Sequence, residues 1–342
     1  MTGFVPQLAI FRQQALDYPL GQKLHKFFNS PDMQTAVEII GNKGPFPLDY
    51  DLPFREKFHR AKKIVVVSVR SLNKFQTCKP SAHYQLPLIS GCPAHCHYCY
   101  LSTNLGQHPY IKIYVNIEEI LSKARKYIKK RQPEITIFEG SATSDPLALE
   151  AWTGSLSRAI NFFARTEQGK FRFVTKFIEV EPLLKLKHRG QTEFRFSLNT
   201  PYIINKFEPA TPDLQSRLKA ASRVYRAGYP LGFLIAPIFN YENWEIQYGQ
   251  LFKTIMKTLK TEGKGIFFEL ISHRFTASAK KIIEQAYPHT DLPMEEAARE
   301  FKYGQFGYGK YLYPKKTLKK MEETLSSQIK NNLPCADIKY FV

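Results

Sequence analysis

The chain has 342 residues, with 49 Lys plus Arg against 30 Asp plus Glu, a formal net charge of +19, and 43% hydrophobic residues including 26 Phe and 19 Tyr. That aromatic content provides a core and excludes an intrinsically disordered chain, while the charge excess points either to a solvated surface or to a polyanionic partner. No apolar run reaches the roughly 18 residues of a membrane span, and residues 1–20 lack a basic-then-apolar leader, so a soluble protein that is not exported is expected.

In chain order, segments rich in β-branched and aromatic residues predict strands near 64–69, 84–91, 135–139, 171–177, 194–199, 232–239 and 266–271. Helices are expected at 116–130, 153–165, 212–227 and 245–261. The first is the clearest: Ile117, Ile120, Leu121, Ala124 and Ile128 share one face, with Asn116 placed as its cap and Glu119 to close a capping box. From Tyr84 onward this makes six strand-then-helix units, which imply a parallel sheet. Polar residues gather where strands end, at Cys92, Glu139 to Asp145, Lys176, Ser197 to Asn199, and His273-Arg274. Working residues occupy that end of a barrel. The expected fold is therefore α/β: a partial (β/α)6 TIM-type barrel over 81–290, an N-terminal α/β extension over 1–80, and a C-terminal β-hairpin and tail over 291–342.

Five cysteines remain: Cys78, Cys92, Cys96, Cys99 and Cys335. An odd number argues against a disulfide framework and makes the cytosol the natural compartment. Cys92, Cys96 and Cys99 form C-x3-C-x2-C, too close to lie on one regular strand, so they line a loop that wraps a metal. Zinc with His95 or His97 as fourth ligand is one reading. The other is a 4Fe–4S cluster: three cysteines just after a first barrel strand, with an aromatic (Tyr98) before the last, resemble the signature of radical S-adenosylmethionine enzymes. That chemistry leaves one iron open for S-adenosylmethionine, whose reductive cleavage yields a 5′-deoxyadenosyl radical.

The wider chain narrows the resemblance. Lys79-Pro80-Ser81-Ala82-His83-Tyr84, the block from Cys92 to Leu101, Phe138-Glu139 with Thr143-Ser144-Asp145, Phe173-Val174-Thr175-Lys176, Phe194-Arg195-Phe196-Ser197, the run from Ala227 to Phe233, Glu269-Leu270-Ile271 with His273-Arg274-Phe275, and Gly309-Lys310-Tyr311 closely resemble the spore photoproduct lyase family. The resemblance runs from Phe4-Val5-Pro6 to Tyr340-Phe341. It implies a carbon–carbon lyase that repairs the ultraviolet-induced 5-thyminyl-5,6-dihydrothymine lesion in germinating spores. It assigns Cys92, Cys96 and Cys99 to the cluster and Ser144, Asp145, Lys176 and Ser197 to S-adenosylmethionine. A carboxylate suits the ligand's ammonium and a lysine its carboxylate or a ribose oxygen.

One departure matters. Where Bacillus-type members carry the cysteine that donates the final hydrogen atom, this chain reads Phe138-Glu139-Gly140-Ser141-Ala142-Thr143-Ser144-Asp145, with Ala142 at the donor position. Cys78 adjoins the block that feeds the cluster strand, where those members carry a small non-thiol residue, so the resemblance to the clostridial branch makes Cys78 the relocated donor. Tyr98 and Tyr100 match the family's radical relay. Cys335 has no motif around it and reads as a buried thiol without a role.

A lesion inside a duplex must be turned out to meet a radical in a barrel. The segment from Lys302 to Lys316 mixes cations, aromatics and glycines as a hairpin pressed on DNA would. Lys302, Gln305, Phe306 and Lys310, with His273 and Arg274, are the expected DNA contacts; Gln305 stands where a basic residue is usual and Phe306 is the wedge. Expected partners are damaged double-stranded DNA and an electron donor such as ferredoxin or flavodoxin, for a monomer in the cytoplasm of the spore core. Two alternatives stay open: an altered radical homologue acting on another nucleic acid, and a zinc-stabilised nucleic-acid-binding protein without catalysis.

Overall fold

The structure is a computed structural model that describes residues 4–47, 51–303, 307 and 309–342. The chain divides into two compact units, residues 1–93 with 101–193 and residues 94–100 with 194–342.

In the first unit, β1 (Leu8–Arg12), β2 (Ala36–Ile40), β3 (Ile64–Ser68), β4 (Thr77–Cys78), β5 (Ala82–Leu86), β6 (Ile89–Ser90), β7 (Ile111–Tyr114), β8 (Thr136–Gly140) and β9 (Gly169–Thr175) form two sets. One runs β2-β1-β3-β7-β6, parallel except for β6. Its central strands are apolar runs, with Ala9, Ile10, Phe11, Val65, Val66 and Val67 fully buried, as a sheet covered on both faces requires. In the other, β4 pairs antiparallel with β5, and β5, β8 and β9 run parallel.

The strand expected over 84–91 is two strands. Pro87 has no N–H for a ladder, and Leu88 folds back to donate to the Leu86 carbonyl at 3.0 Å. β5 then pairs with β8, while β6 pairs with β7 in the other set. The segment that leads into the cysteines is therefore a two-residue antiparallel strand.

The helix Ile117–Arg131 buries the five residues expected of it. Its cap is different from the one expected. The Asn116 side chain makes no cap hydrogen bond. It instead clasps the backbone of Arg70, accepting from the N–H at 2.8 Å and donating to the carbonyl at 3.0 Å. Glu119 accepts from the Asn116 amide at 2.9 Å and from the Tyr18 hydroxyl at 2.7 Å, so it joins two segments rather than closing a box. The helix expected over 153–165 is Ser155–Phe163, and Gly154, which turns through φ +60, separates it from a short helix, Glu150–Thr153.

In the second unit, β10 (Thr192–Leu198), β11 (Leu231–Ile238), β12 (Ile266–Ser272) and β15 (Asp337–Phe341) run parallel in that order. The helices Leu214–Arg226 and Trp244–Leu259 follow β10 and β11 in the chain; Asp213 caps the first by accepting from the Ser216 N–H at 2.8 Å. Arg195 on β10 and Glu269 on β12 form a buried ion pair at 2.8 Å. Gly232 lies on β11 between their strands, where a Cβ would meet the Phe267 ring at 2.2 Å. Beyond residue 290, β13 (Glu300–Tyr303) and β14 (Gly309–Leu312) make an antiparallel hairpin. The expected tail is an 18-residue helix, Lys315–Asn332, followed by β15, which extends the sheet beside β12. Among the described residues no helix is long and apolar enough to cross a membrane.

Candidate active site

The first unit contributes Cys92. Gly91, which precedes it, has φ +79, and a Cβ there would lie 2.5 Å from the Tyr110 carbonyl oxygen, so only glycine lets the chain leave β6 in this direction. Gly91 also bridges to Ser144: its N–H donates to the Thr143 carbonyl at 2.9 Å, and the Ser144 hydroxyl donates to the Gly91 carbonyl. Ser144 therefore holds the start of the cysteine loop. Asp145 beside it is buried, accepting from the Thr175 hydroxyl at 2.8 Å and the Lys176 N–H at 2.7 Å. Burial pushes its carboxyl up to about 6, against the lowering effect of those two donors. Three of the residues expected to face S-adenosylmethionine thus occupy one patch of this unit.

Cys78 ends β4, opposite Ala82. Three residues on, Ser81 donates to Glu139 at 2.7 Å, and Glu139 lies three residues before Ala142. The turn bearing Cys78 is thereby tied to the strand whose end carries Ala142. Ser141 adopts φ +51, donates its N–H to the Leu86 carbonyl at 2.9 Å and accepts from the Ile89 N–H at 3.0 Å, fixing the loop that bears Ala142 between β5 and β6.

The sequence reading missed Lys62. It is 1% exposed, and its ammonium donates to the Cys92 carbonyl at 3.0 Å and the Ser102 hydroxyl at 3.2 Å. In the run Arg55 to Lys63, with five other basic residues, it looked like one more surface cation.

The second unit contributes Cys96 and Cys99. Their loop is pinned by two backbone bonds, His95 N–H to the Pro209 carbonyl and His97 N–H to the Phe207 carbonyl, each 2.9 Å. The Tyr98 hydroxyl donates to Glu208, whose carboxylate pairs with Arg217 at 2.6 Å; both charged side chains are fully buried. Arg217 also donates to the carbonyl of Ser197 at 3.1 Å and to the Thr211 hydroxyl at 2.7 Å. One guanidinium thus links a relay candidate to a cofactor-binding candidate, and no motif marked Glu208 or Arg217. Burial first, then the Glu208 charge, holds the Tyr98 phenol well above its ordinary value. Tyr100, by contrast, is 63% exposed. His97 stacks on Tyr287 at 4.3 Å, and its Nδ1 meets the Thr290 hydroxyl at 2.9 Å. Cys335 is exposed, against expectation, with its sulfur 3.9 Å from a Glu262 carboxylate oxygen; β15, which follows it, is an edge strand.

No disulfide joins the five cysteines. Among the described residues no three His, Cys, Asp or Glu stand already gathered around one metal ion. The fit to an iron–sulfur cluster rests on the donor set, three thiols in one short loop, and on the buried cation against the first of them.

The expected DNA contacts divide. Gln305 and Phe306 lie outside the described residues. His273 is 3% exposed; its ring lies against Phe239 at 4.5 Å and Phe275 at 5.8 Å, and its carbonyl accepts from Arg299 at 2.9 Å. Burial, reinforced by Arg299, keeps its imidazole well below the usual value. Arg274 is half-buried, and burial lowers its pKa. Lys302 and Lys310 stand directly opposite each other on the hairpin, and among the described residues the counter-charge there is Glu300, 3.7 Å from Lys302. Like charges in that register repel unless an anion lies between them. Beside them Tyr303 is 78% exposed.

A family model described as spore photoproduct lyase matches residues 4–342. A spore photoproduct lyase of a Geobacillus species is 45% identical over 343 residues, covering 100% of both chains. One from Clostridium acetobutylicum is 44% identical over 333 residues, covering 97% of this chain and 98% of its own. A solved spore photoproduct lyase variant, in which a cysteine is replaced by alanine and a serine by cysteine, holds AdoMet and dinucleoside spore photoproduct; it is 44% identical, covers 99% of each chain and superposes with a TM-score of 0.94. That likeness carries the α/β partial-barrel fold class expected from the sequence. The chain belongs to the spore photoproduct lyase family.

Proposed function

We propose that this protein is a radical S-adenosylmethionine lyase that reverses the thymine lesion 5-thyminyl-5,6-dihydrothymine in DNA to two thymines. The observation that carries this reading is the full-length likeness to a solved lyase with cofactor and lesion bound. It sets the zinc-stabilised binding module aside, because that module needs only the cysteine loop and the charge. Cys92, Cys96 and Cys99 would hold three irons of a 4Fe–4S cluster. When bound, the cluster and S-adenosylmethionine supply a carbon-centred radical that takes a hydrogen atom from the lesion.

The chain's own residues then have distinct tasks. Ser144 orients the loop at Cys92 through the Gly91 carbonyl. Asp145 and Lys176 offer opposite charges to the amino acid end of the ligand, and Ser197 a hydroxyl. Once the bridge between the thymines breaks, Cys78 gives its S–H hydrogen atom to the thymine methyl radical. Tyr98 and Tyr100 pass a hydrogen atom to the resulting thiyl, and the tyrosyl left behind would recover one from 5′-deoxyadenosine. Two observations support Cys78: its turn is bonded to the strand that leads to Ala142, and the solved variant pairs loss of a cysteine with gain of one at a serine position. Arg274, Lys302 and Lys310 would hold phosphates, with Gln305 and Phe306 as the further proposed DNA contacts; His273 supports Arg299 from within. A low-potential one-electron donor such as ferredoxin or flavodoxin and a monomer in the cytoplasm complete the proposal.

Anaerobic reconstitution tests the reading. A brown protein that cleaves S-adenosylmethionine under reductant is expected. A colourless protein with one zinc per chain would overturn it.

A further inference from the structure

Lys62 places a buried positive charge against the backbone of the first cysteine of the loop. It follows the helix Phe54–Ala61, is 1% exposed, and among the described residues its ammonium meets only a carbonyl, that of Cys92, and a hydroxyl, that of Ser102. Neutral acceptors solvate an ammonium without neutralising it, and a buried charge lacking a counter-ion is costly unless something anionic stands nearby. The described residues provide no carboxylate partner for it. Helix-end geometry alone does not account for it, since its ammonium bonds the Cys92 loop and not the helix's last carbonyls. Three thiolates around iron and sulfide make an anionic centre, whose charge grows by one with each electron accepted.

We infer that Lys62 is a positioning residue that fixes the Cys92 segment and whose charge sets the reduction potential of the iron–sulfur cluster. The inference rests on the proposed assignment of Cys92 as a cluster ligand. The positive charge favours the reduced state, so its removal makes the one-electron reduction harder. Groups around a cluster, and not only its ligands, set potential in this way.

The test is a mediated potentiometric titration of reconstituted holoenzyme with dithionite, followed by the cluster's electron paramagnetic resonance signal, beside iron content and circular dichroism. Lys62→Met removes charge and donor, and Lys62→Gln removes charge alone. Ser102→Asp keeps the lysine and pairs it with a carboxylate. All three are expected to load iron as the parent does and to shift the midpoint to a more negative potential, with Met and Gln alike. A parent midpoint in the iron-loaded Lys62 variants overturns the inference, because a charge against the cluster must change its potential when removed. If the Lys62 variants fail to load iron, Ser102→Asp decides: a negative shift upholds the role of charge and an unchanged midpoint overturns it. A parent protein that loads no iron overturns the proposed function instead, so the two failures are distinguishable.

Discussion

Asp145 shows how burial and function pull on one side chain. Its folded-state value of about 6 lies above the ordinary aspartate value of 3.8, so the folded protein holds the proton more tightly than the unfolded chain does. Its contribution to stability is therefore full below about pH 4 and is lost as pH rises to about 6, at up to about 1.4 kcal/mol per pH unit. Asp145→Asn should remove that slope, which denaturant unfolding of parent and variant from pH 4 to 7 would reveal; parallel curves would refute it. The second residue-scale prediction concerns Cys78. Cys78→Ala should slow release of intact thymine and divert product into adducts, whereas Cys335→Ala should change neither, as chromatography of the products would show. Cys78 could be proposed from the sequence, because the family resemblance marks one thiol missing at Ala142 and another gained nearby. Lys62 was not, because burial of a single lysine in a basic run leaves no mark in the sequence.

Among the elements, strands and helices with a clear apolar period fell near where their periodicity put them. The departures have local causes: Pro87 divides one strand, Gly154 delays the start of one helix, and Asn116 spends its amide on Arg70. Long-range bonds such as Asn116 to Arg70 have no sequence period to announce them. Two substitutions test the elements that carry the cysteines. Gly91→Ala forces a Cβ against the Tyr110 carbonyl at positive φ and should cost about 1–3 kcal/mol, with lowered iron content after reconstitution. Arg217→Met leaves the Glu208 carboxylate buried without its cation and should cost about 3–5 kcal/mol in urea unfolding. Replacing Glu208 by Leu as well should recover part of that loss; no recovery would mean that Arg217 acts by packing alone.

Across the whole molecule, the net charge of +19 was the first hint of a polyanionic partner, and the proposed DNA contact on the hairpin would give it a place. Lys302 and Lys310 are opposed across two strands, which is unfavourable in a free hairpin and favourable astride a phosphate backbone. Replacing either by Ala should weaken DNA binding about equally for damaged and undamaged duplex and reduce the salt slope by about 1. Fluorescence anisotropy from low to moderate salt would check this, and an unchanged slope would remove the hairpin from the interface. The alternation of strands and helices and the cysteine spacing were legible because period and motif are local. The Tyr98–Glu208–Arg217 chain was not, since Tyr98 lies more than a hundred residues before the other two and meets them only once the second unit has folded.

The central claim is that this chain returns the lesion to thymine with Ala142 at the usual donor position. It is tested most directly by incubating reconstituted protein, S-adenosylmethionine and dithionite anaerobically with a duplex bearing a single 5-thyminyl-5,6-dihydrothymine and quantifying lesion and intact thymine dinucleotide. The account predicts loss of lesion matched by gain of intact dinucleotide. Iron-loaded protein that cleaves S-adenosylmethionine yet leaves the lesion unchanged would contradict it.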